Sequence, residues 1–289
     1  MRELSNNHEV ACTLDLKYNQ PQVCSSFSYG NAIIKFANKD DPSKLNLCIS
    51  GKRNIGLDKL KNIFFLIWEM LYLFNGFFPV LLNIYFDGEE DKFFQKRMAK
   101  RWCTTNSFSL IRSNNKLCSI SQKTLNCTTL KNYASLRDDL KYPLSSIFAI
   151  QSYDNIYGEH RFVLASHAAE GIIEEKYDSQ ISSHNFQGRM EFLFGPLLNA
   201  NRKYRTKLFS SIGLSQKNYF KLLKDTRHFY SHLSKERKRF TEGKEFLSDY
   251  WILSLAIRLF IMQEIRVNYE APLFEANASA IAEWIAKYR

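Results

Sequence analysis

The stretch Lys224 to His232 reads KDTRHFYSH, and two of its side chains suffice for a specific chemistry. Arg227 carries a planar, permanently charged guanidinium that can hold a phosphate, and His232 can move a proton near neutral pH. Together they are a minimal kit for cutting RNA without a metal, the histidine serving as general acid or base and the arginine stabilising phosphate charge.

Their spacing tests the idea. At about 100° per residue, Arg227 and His232 lie about 140° apart around a helix, whereas His228 and His232, at i and i+4, share a face. One ideal helix therefore does not bring Arg227 beside His232. Either the long arginine side chain wraps round, or the helix distorts or ends between them, or a second copy of the motif completes the site across a two-fold axis.

Bland roles exist for the same residues. Arg227 could pair with an acid such as Glu170. His228 and His232 have the i, i+4 spacing of zinc ligands, but no third ligand stands at a recognisable distance and no H-E-x-x-H occurs. The run KERKRF, Lys235 to Phe240, could be a solvated helix end, where cations favour the dipole. Tyr230 could stack a base; the pattern Tyr219, Leu222, Leu223, Thr226, Phe229, Tyr230 and Leu233 instead favours packing in a core stripe.

Charge distribution speaks for function. From Asn201 to Arg239 there are twelve Lys or Arg against Asp225 and Glu236, a net +10 of the chain's +11. Such a surface suits a polyanionic partner. The six cysteines, all in the first half and without C-x-x-C spacing, read as reduced thiols of a cytoplasmic protein, not as a zinc site or a disulfide framework. The polar start MRELSNNHEV lacks the apolar core of a signal peptide.

The elements that must position the motif fall into two expected domains. Residues 1–140 mix short strand-like runs (Val10 to Tyr18, Asn31 to Phe36, Leu45 to Ser50, Lys100 to Ile111) with one strong helix, a small α+β domain. That helix opens the apolar run IFFLIWEMLYLFNGFFPVLLNIYF, Ile63 to Phe86, which is long enough to span a bilayer. Glu69 at its middle and the Asn75-Gly76 and Pro79 punctuation favour a buried helix from about Leu57 to Phe74, a glycine stop, and a strand from about Val80 to Phe86. No stable membrane insertion is expected. The polar stretch Arg137 to Pro143 marks the boundary. Residues 143–289 read as an all-α bundle of about five helices: Gly158 to Tyr177, Phe186 to Asn199 interrupted at Gly195-Pro196, Leu214 to about Leu233 with Ser215 as N-cap, Phe246 to Ile265, and Phe274 to Tyr288.

These residues carry a resemblance. KDTRHFYSH, followed after a basic loop by the apolar helix FLSDYWILSLAIRLFIMQEI, resembles the HEPN superfamily of helical ribonuclease domains, in particular its ApeA-like branch from bacterial defence proteins. The family's Arg, then Asn, His or Asp, then His corresponds to Arg227, His228 and His232. The segment EHRFVLASHAAEGIIEE looks like the early family helix with a glutamate after a small apolar pair, here Glu170, and LFNGFFPVLLNIYFDGEE is similar to a helix, turn and strand of the accompanying N-terminal domain.

The resemblance implies a metal-independent, cofactor-free endoribonuclease of defence or toxin type, acting as a homodimer with a composite site. His232 would act on the ribose 2′-hydroxyl and the leaving 5′-oxygen, Arg227 on the scissile phosphate, and His228 in orientation. Glu170 and Tyr230 would support the site. The lysines and arginines between Arg202 and Arg239, Lys224, Lys235, Arg237, Lys238 and Arg239 among them, would hold RNA. The N-terminal domain would sense or restrain, answering to a regulatory partner or a phage-derived trigger. The alternative is a non-catalytic HEPN module that binds RNA or protein.

Overall fold

The computed structural model describes residues 8–16, 19–38, 41–52, 55–102, 116–152, 158–232 and 245–288. The first part is a six-stranded antiparallel sheet built from β1 (Glu9–Asp15), β2 (Cys24–Tyr29), β3 (Ala32–Ala37), β4 (Lys44–Gly51), β5 (Val80–Phe86) and β6 (Glu89–Glu90), in the order β2-β3-β4-β1-β5-β6. Alternation does the sorting: Val10, Cys12 and Leu14 of β1 and Leu45, Leu47 and Ile49 of β4 are buried on one face. The hairpin between β5 and β6 turns on Asp87 and Gly88, whose φ values of 54° and 85° are those a two-residue primed turn demands.

Helix α1 (Leu57–Asn75) packs against β1 and β4. It ends as its sequence dictates: Gly76 takes φ 77° and its N–H donates to the Tyr72 carbonyl at 2.6 Å. Glu69, only 8% exposed, is answered by α3 (Cys127–Asp139). The Tyr133 hydroxyl donates to it at 3.0 Å, and Arg137 grips it through Nε at 2.6 Å and Nη2 at 3.0 Å. A carboxylate paired in this way belongs inside a folded protein. Among the described residues no helix is long and apolar enough to cross a membrane.

Helix α2 (Lys92–Trp102) packs on β5. Lys100 to Trp102, expected to begin a strand, close this helix instead, and the remainder of that expected strand lies outside the described residues. The expected boundary, Arg137 to Pro143, is the end of α3 and the start of α4 (Lys141–Ser152), with Leu140 fully buried between them.

From there the chain is helical: α5 (Gly158–Lys176), α6 (Phe186–Leu193), α7 (Gly195–Asn199), α8 (Arg202–Ile212), α9 (Gln216–His232), α10 (Glu245–Glu264) and α11 (Ala271–Tyr288). Together with α4, that makes eight α-helices between Lys141 and Tyr288 among the described residues, against about five expected for residues 143–289. The break at Gly195-Pro196 splits one expected helix into α6 and α7, as the sequence suggested. Two helices are additions: α4, and α8, which has a sparse apolar side in which only Leu208 and Ile212 are buried and which packs on α11. Helix α10 is buried nearly all round and packs against α5, α7 and α11.

The two parts of the chain meet at the end of α1. Arg258 of α10, 3% exposed, donates through Nε to the Leu73 carbonyl at 2.8 Å and through Nη2 to the Phe74 carbonyl at 3.0 Å. Leu117 N–H donates to that same Phe74 carbonyl at 2.7 Å, and the Leu117 carbonyl accepts from Glu270 N–H at 2.7 Å. A helix C-terminus buried in apolar surroundings needs such donors. Replacing Arg258 by Met should therefore cost about 2 to 3 kcal/mol by leaving buried carbonyls short of a donor, read as a lower urea midpoint. An unchanged midpoint would show that the arginine does not carry the junction.

Candidate functional site

Helix α9 packs on α5 and α6, and the candidate residues gather along that seam. Its register follows from local chemistry. Ser215 caps the helix, its hydroxyl accepting from Asn218 N–H at 3.3 Å, and Tyr219, Phe220, Leu222, Leu223 and Thr226 are buried. Tyr219 is anchored further by its hydroxyl, which donates to the fully buried Asp249 at 3.0 Å. With those positions turned inward, the orientation of the motif is set. On the α5 side the small residues Ala165, Ala168 and Ala169 are buried, which lets neighbouring helices approach closely.

Arg227 points into the seam. Its side chain is 24% exposed, and its Nη2 forms an ion pair with the Glu170 carboxylate. The guanidinium carbon lies 5.4 Å from the centroid of the Phe186 ring. Its Nε is buried with no hydrogen-bond partner among the described residues. Glu170, 13% exposed, also stands 3.6 Å from Arg189 of α6. Arg189 in turn reaches Glu174 at 3.2 Å and Asp178 at 3.4 Å. Glu170 thus sits between two guanidinium groups.

Burial pushes the Glu170 carboxyl above the usual carboxylate range, and Arg227 and Arg189 pull it back only in part. A raised carboxyl holds its proton more tightly in the folded chain than in the unfolded one. Its own contribution to stability is present below the ordinary range and is lost as pH rises through the raised value. The charge attraction to Arg227 runs the other way, since it needs the ionised form.

The motif's histidines occupy another side of α9. His228 is exposed, and His232 is the last described residue of the helix, with its side chain outside the described residues. The helix runs unbroken from Gln216 to His232, so it neither ends nor breaks between Arg227 and His232. Nor does Arg227 wrap toward positions 228 and 232, because it is turned to Glu170 and Phe186. Within one copy, then, the described residues do not bring the Arg227 side chain to positions 228 and 232. Tyr230 is packed, its ring 4.9 Å from those of both Phe229 and Phe246. Lys224 is exposed on α9, while Lys235, Arg237, Lys238 and Arg239 lie outside the described residues.

The seam also holds residues that the sequence reading passed over. His167, three positions before Glu170 on α5, has Nε2 3.2 Å from the Ser231 hydroxyl of α9. The i, i+3 pair in HAAE could have been noticed, since such residues share a helix face. Arg189 had no comparable signal, because its partners Glu170 and Glu174 meet it only through the packing of α5 and α6, and Asp178 only through the turn after α5. No family model matches the chain, and no curated protein or solved structure matches it.

A double-mutant cycle with Glu170→Gln and Arg227→Met should give a coupling energy of about 1 to 2 kcal/mol at pH 7, since the pair is largely shielded from water. At pH 4, below the ordinary carboxyl value from which Glu170 is raised, the coupling should fall. Equal coupling at both pH values would contradict the assigned cause.

Proposed function

We propose that this protein is a metal-independent endoribonuclease of HEPN type, acting as a bacterial defence or toxin effector through a composite site in a homodimer. One observation carries the reading: Arg227 is held in a fixed pose by Glu170 and Phe186, on the same unbroken helix as a solvent-facing His228 and a terminal His232. A guanidinium supported from behind by a carboxylate is preorganised to meet a phosphate, which is how electrostatic stabilisation gains its effect.

In the proposed reaction the ribose 2′-oxygen attacks the adjacent phosphorus as its proton passes to a base. The bond to the 5′-oxygen breaks, and that oxygen takes a proton from an acid, leaving a 2′,3′-cyclic phosphate and a 5′-hydroxyl. His232 fills the acid–base role, Arg227 stabilises charge on the phosphoryl oxygens, and His228 orients phosphate or arginine. Because positions 227 and 232 lie on different sides of α9, the arginine and histidine that serve one phosphate come from different copies. The N-terminal sheet domain is the sensor or restraint.

The same ion pair favours a second reading, in which Arg227 and Glu170 staple α9 to α5 in a non-catalytic module that binds RNA or protein. The two part on product chemistry. With the nuclease, purified protein yields RNA fragments with cyclic phosphate ends, cleavage persists in EDTA, and Arg227→Ala or His232→Ala lowers the rate at least about a hundredfold with the fold intact. RNA left whole by the wild type, or wild type and His232→Ala acting alike, would sink the nuclease reading.

A further inference from the structure

The outward side of α9 carries an ordered row of three lysines that leads to a histidine. Lys217, Lys221, Lys224 and His228 are all exposed and follow one another at steps of four, three and four residues. Those steps keep the row within about 60° of helix circumference along about 16 Å of axis, and position 232 continues it by register.

Such an arrangement works against the helix that bears it. Like charges at i, i+3 and i, i+4 repel, and Lys217 in the first turn opposes the helix dipole. Only one acid, Asp225, lies in α9; it stands four residues from Lys221 on the flank of the row, and the two form no ion pair among the described residues. A merely solvated face would intersperse acids with bases. Among the described residues the side chains of Lys217, Lys221 and Lys224 form no ion pair, so the three lysines break that local rule as binding surfaces do.

Resting on the ribonuclease reading above, we infer that this row is the track for a single RNA strand, with successive phosphates following Lys217, Lys221 and Lys224 toward the histidines. Its spacing of roughly one cation per helical turn suits one extended backbone. A duplex presents two backbones across a groove and calls for a second, parallel row. An anionic membrane is disfavoured because the exposed positions of α9 from Lys217 to His228 offer no apolar side chain to insert. Two copies related by a two-fold axis at their histidine ends would join the rows into one path that enters the composite site from both sides.

The test compares Lys217→Ala/Lys221→Ala/Lys224→Ala with Lys96→Ala/Lys123→Ala/Lys131→Ala, which removes the same charge from exposed positions elsewhere. Both triples are placed in the His232→Ala background, and binding of a labelled oligouridylate is followed by anisotropy across a salt series. The row variant should bind about tenfold or more weakly at moderate salt, with the slope of log affinity against log salt reduced by about 2, while the control changes little. Equal loss in both triples, tighter binding to duplex RNA, or tighter binding to anionic vesicles overturns the inference. The two proposals fail separately. Row-dependent binding with no cleavage by the His232-intact protein keeps the track and removes the nuclease, whereas cleavage unaffected by the row triple does the reverse.

Discussion

Burying the end of an apolar helix obliges the rest of the chain to satisfy its carbonyls. Helix α1 ends among buried side chains, and the donors that meet Leu73 and Phe74 come from Arg258, far along the sequence, and from Leu117. Those bonds make the central helix α10 a fixed neighbour of the sheet domain. Helix α5 packs on α10, and α9 packs on α5, so the seam that holds Arg227 rests on a chain of contacts leading back to that junction.

Within the seam, register decides everything. Tyr219, Leu223 and Thr226 face inward, which turns Arg227 to Glu170 and the lysines of the same helix to solvent. The pair is costly to bury and weak as a source of stability, since burial already opposes ionisation of Glu170. Its more useful consequence is orientation: the guanidinium is held in one pose, and the histidine positions are left on another side. The composite site proposed above, shared between two copies, is an arrangement in which both features would serve a single phosphate.

Much of this architecture was legible where the signal is local. Gly76 ends α1 through a positive φ, Gly195-Pro196 breaks a helix, Ser215 caps another, and four strands showed apolar runs. Strand β2, CSSFSY, escaped notice because three serines dilute its pattern at the sheet edge. Helix α8 was hidden by its run of basic residues and sparse apolar side, and α4 by the proline in its first turn. In the site, Glu170 was already named as a possible partner of Arg227 and is indeed that partner. His167 had a local signal in its i, i+3 spacing from Glu170, whereas Arg189 becomes a site residue only through the packing of α6, which no spacing along the chain encodes.

The central claim is that Arg227 and His232 of different copies act on one phosphate, and mixing two inactive variants tests it most directly. Arg227→Ala and His232→Ala proteins, each inert alone, are combined under conditions that let subunits exchange, and RNA cleavage is measured. A composite site predicts that activity returns, because each mixed dimer regains one pairing of intact Arg227 with intact His232. A mixture that exchanges subunits yet stays inert, beside an active wild type, would contradict it.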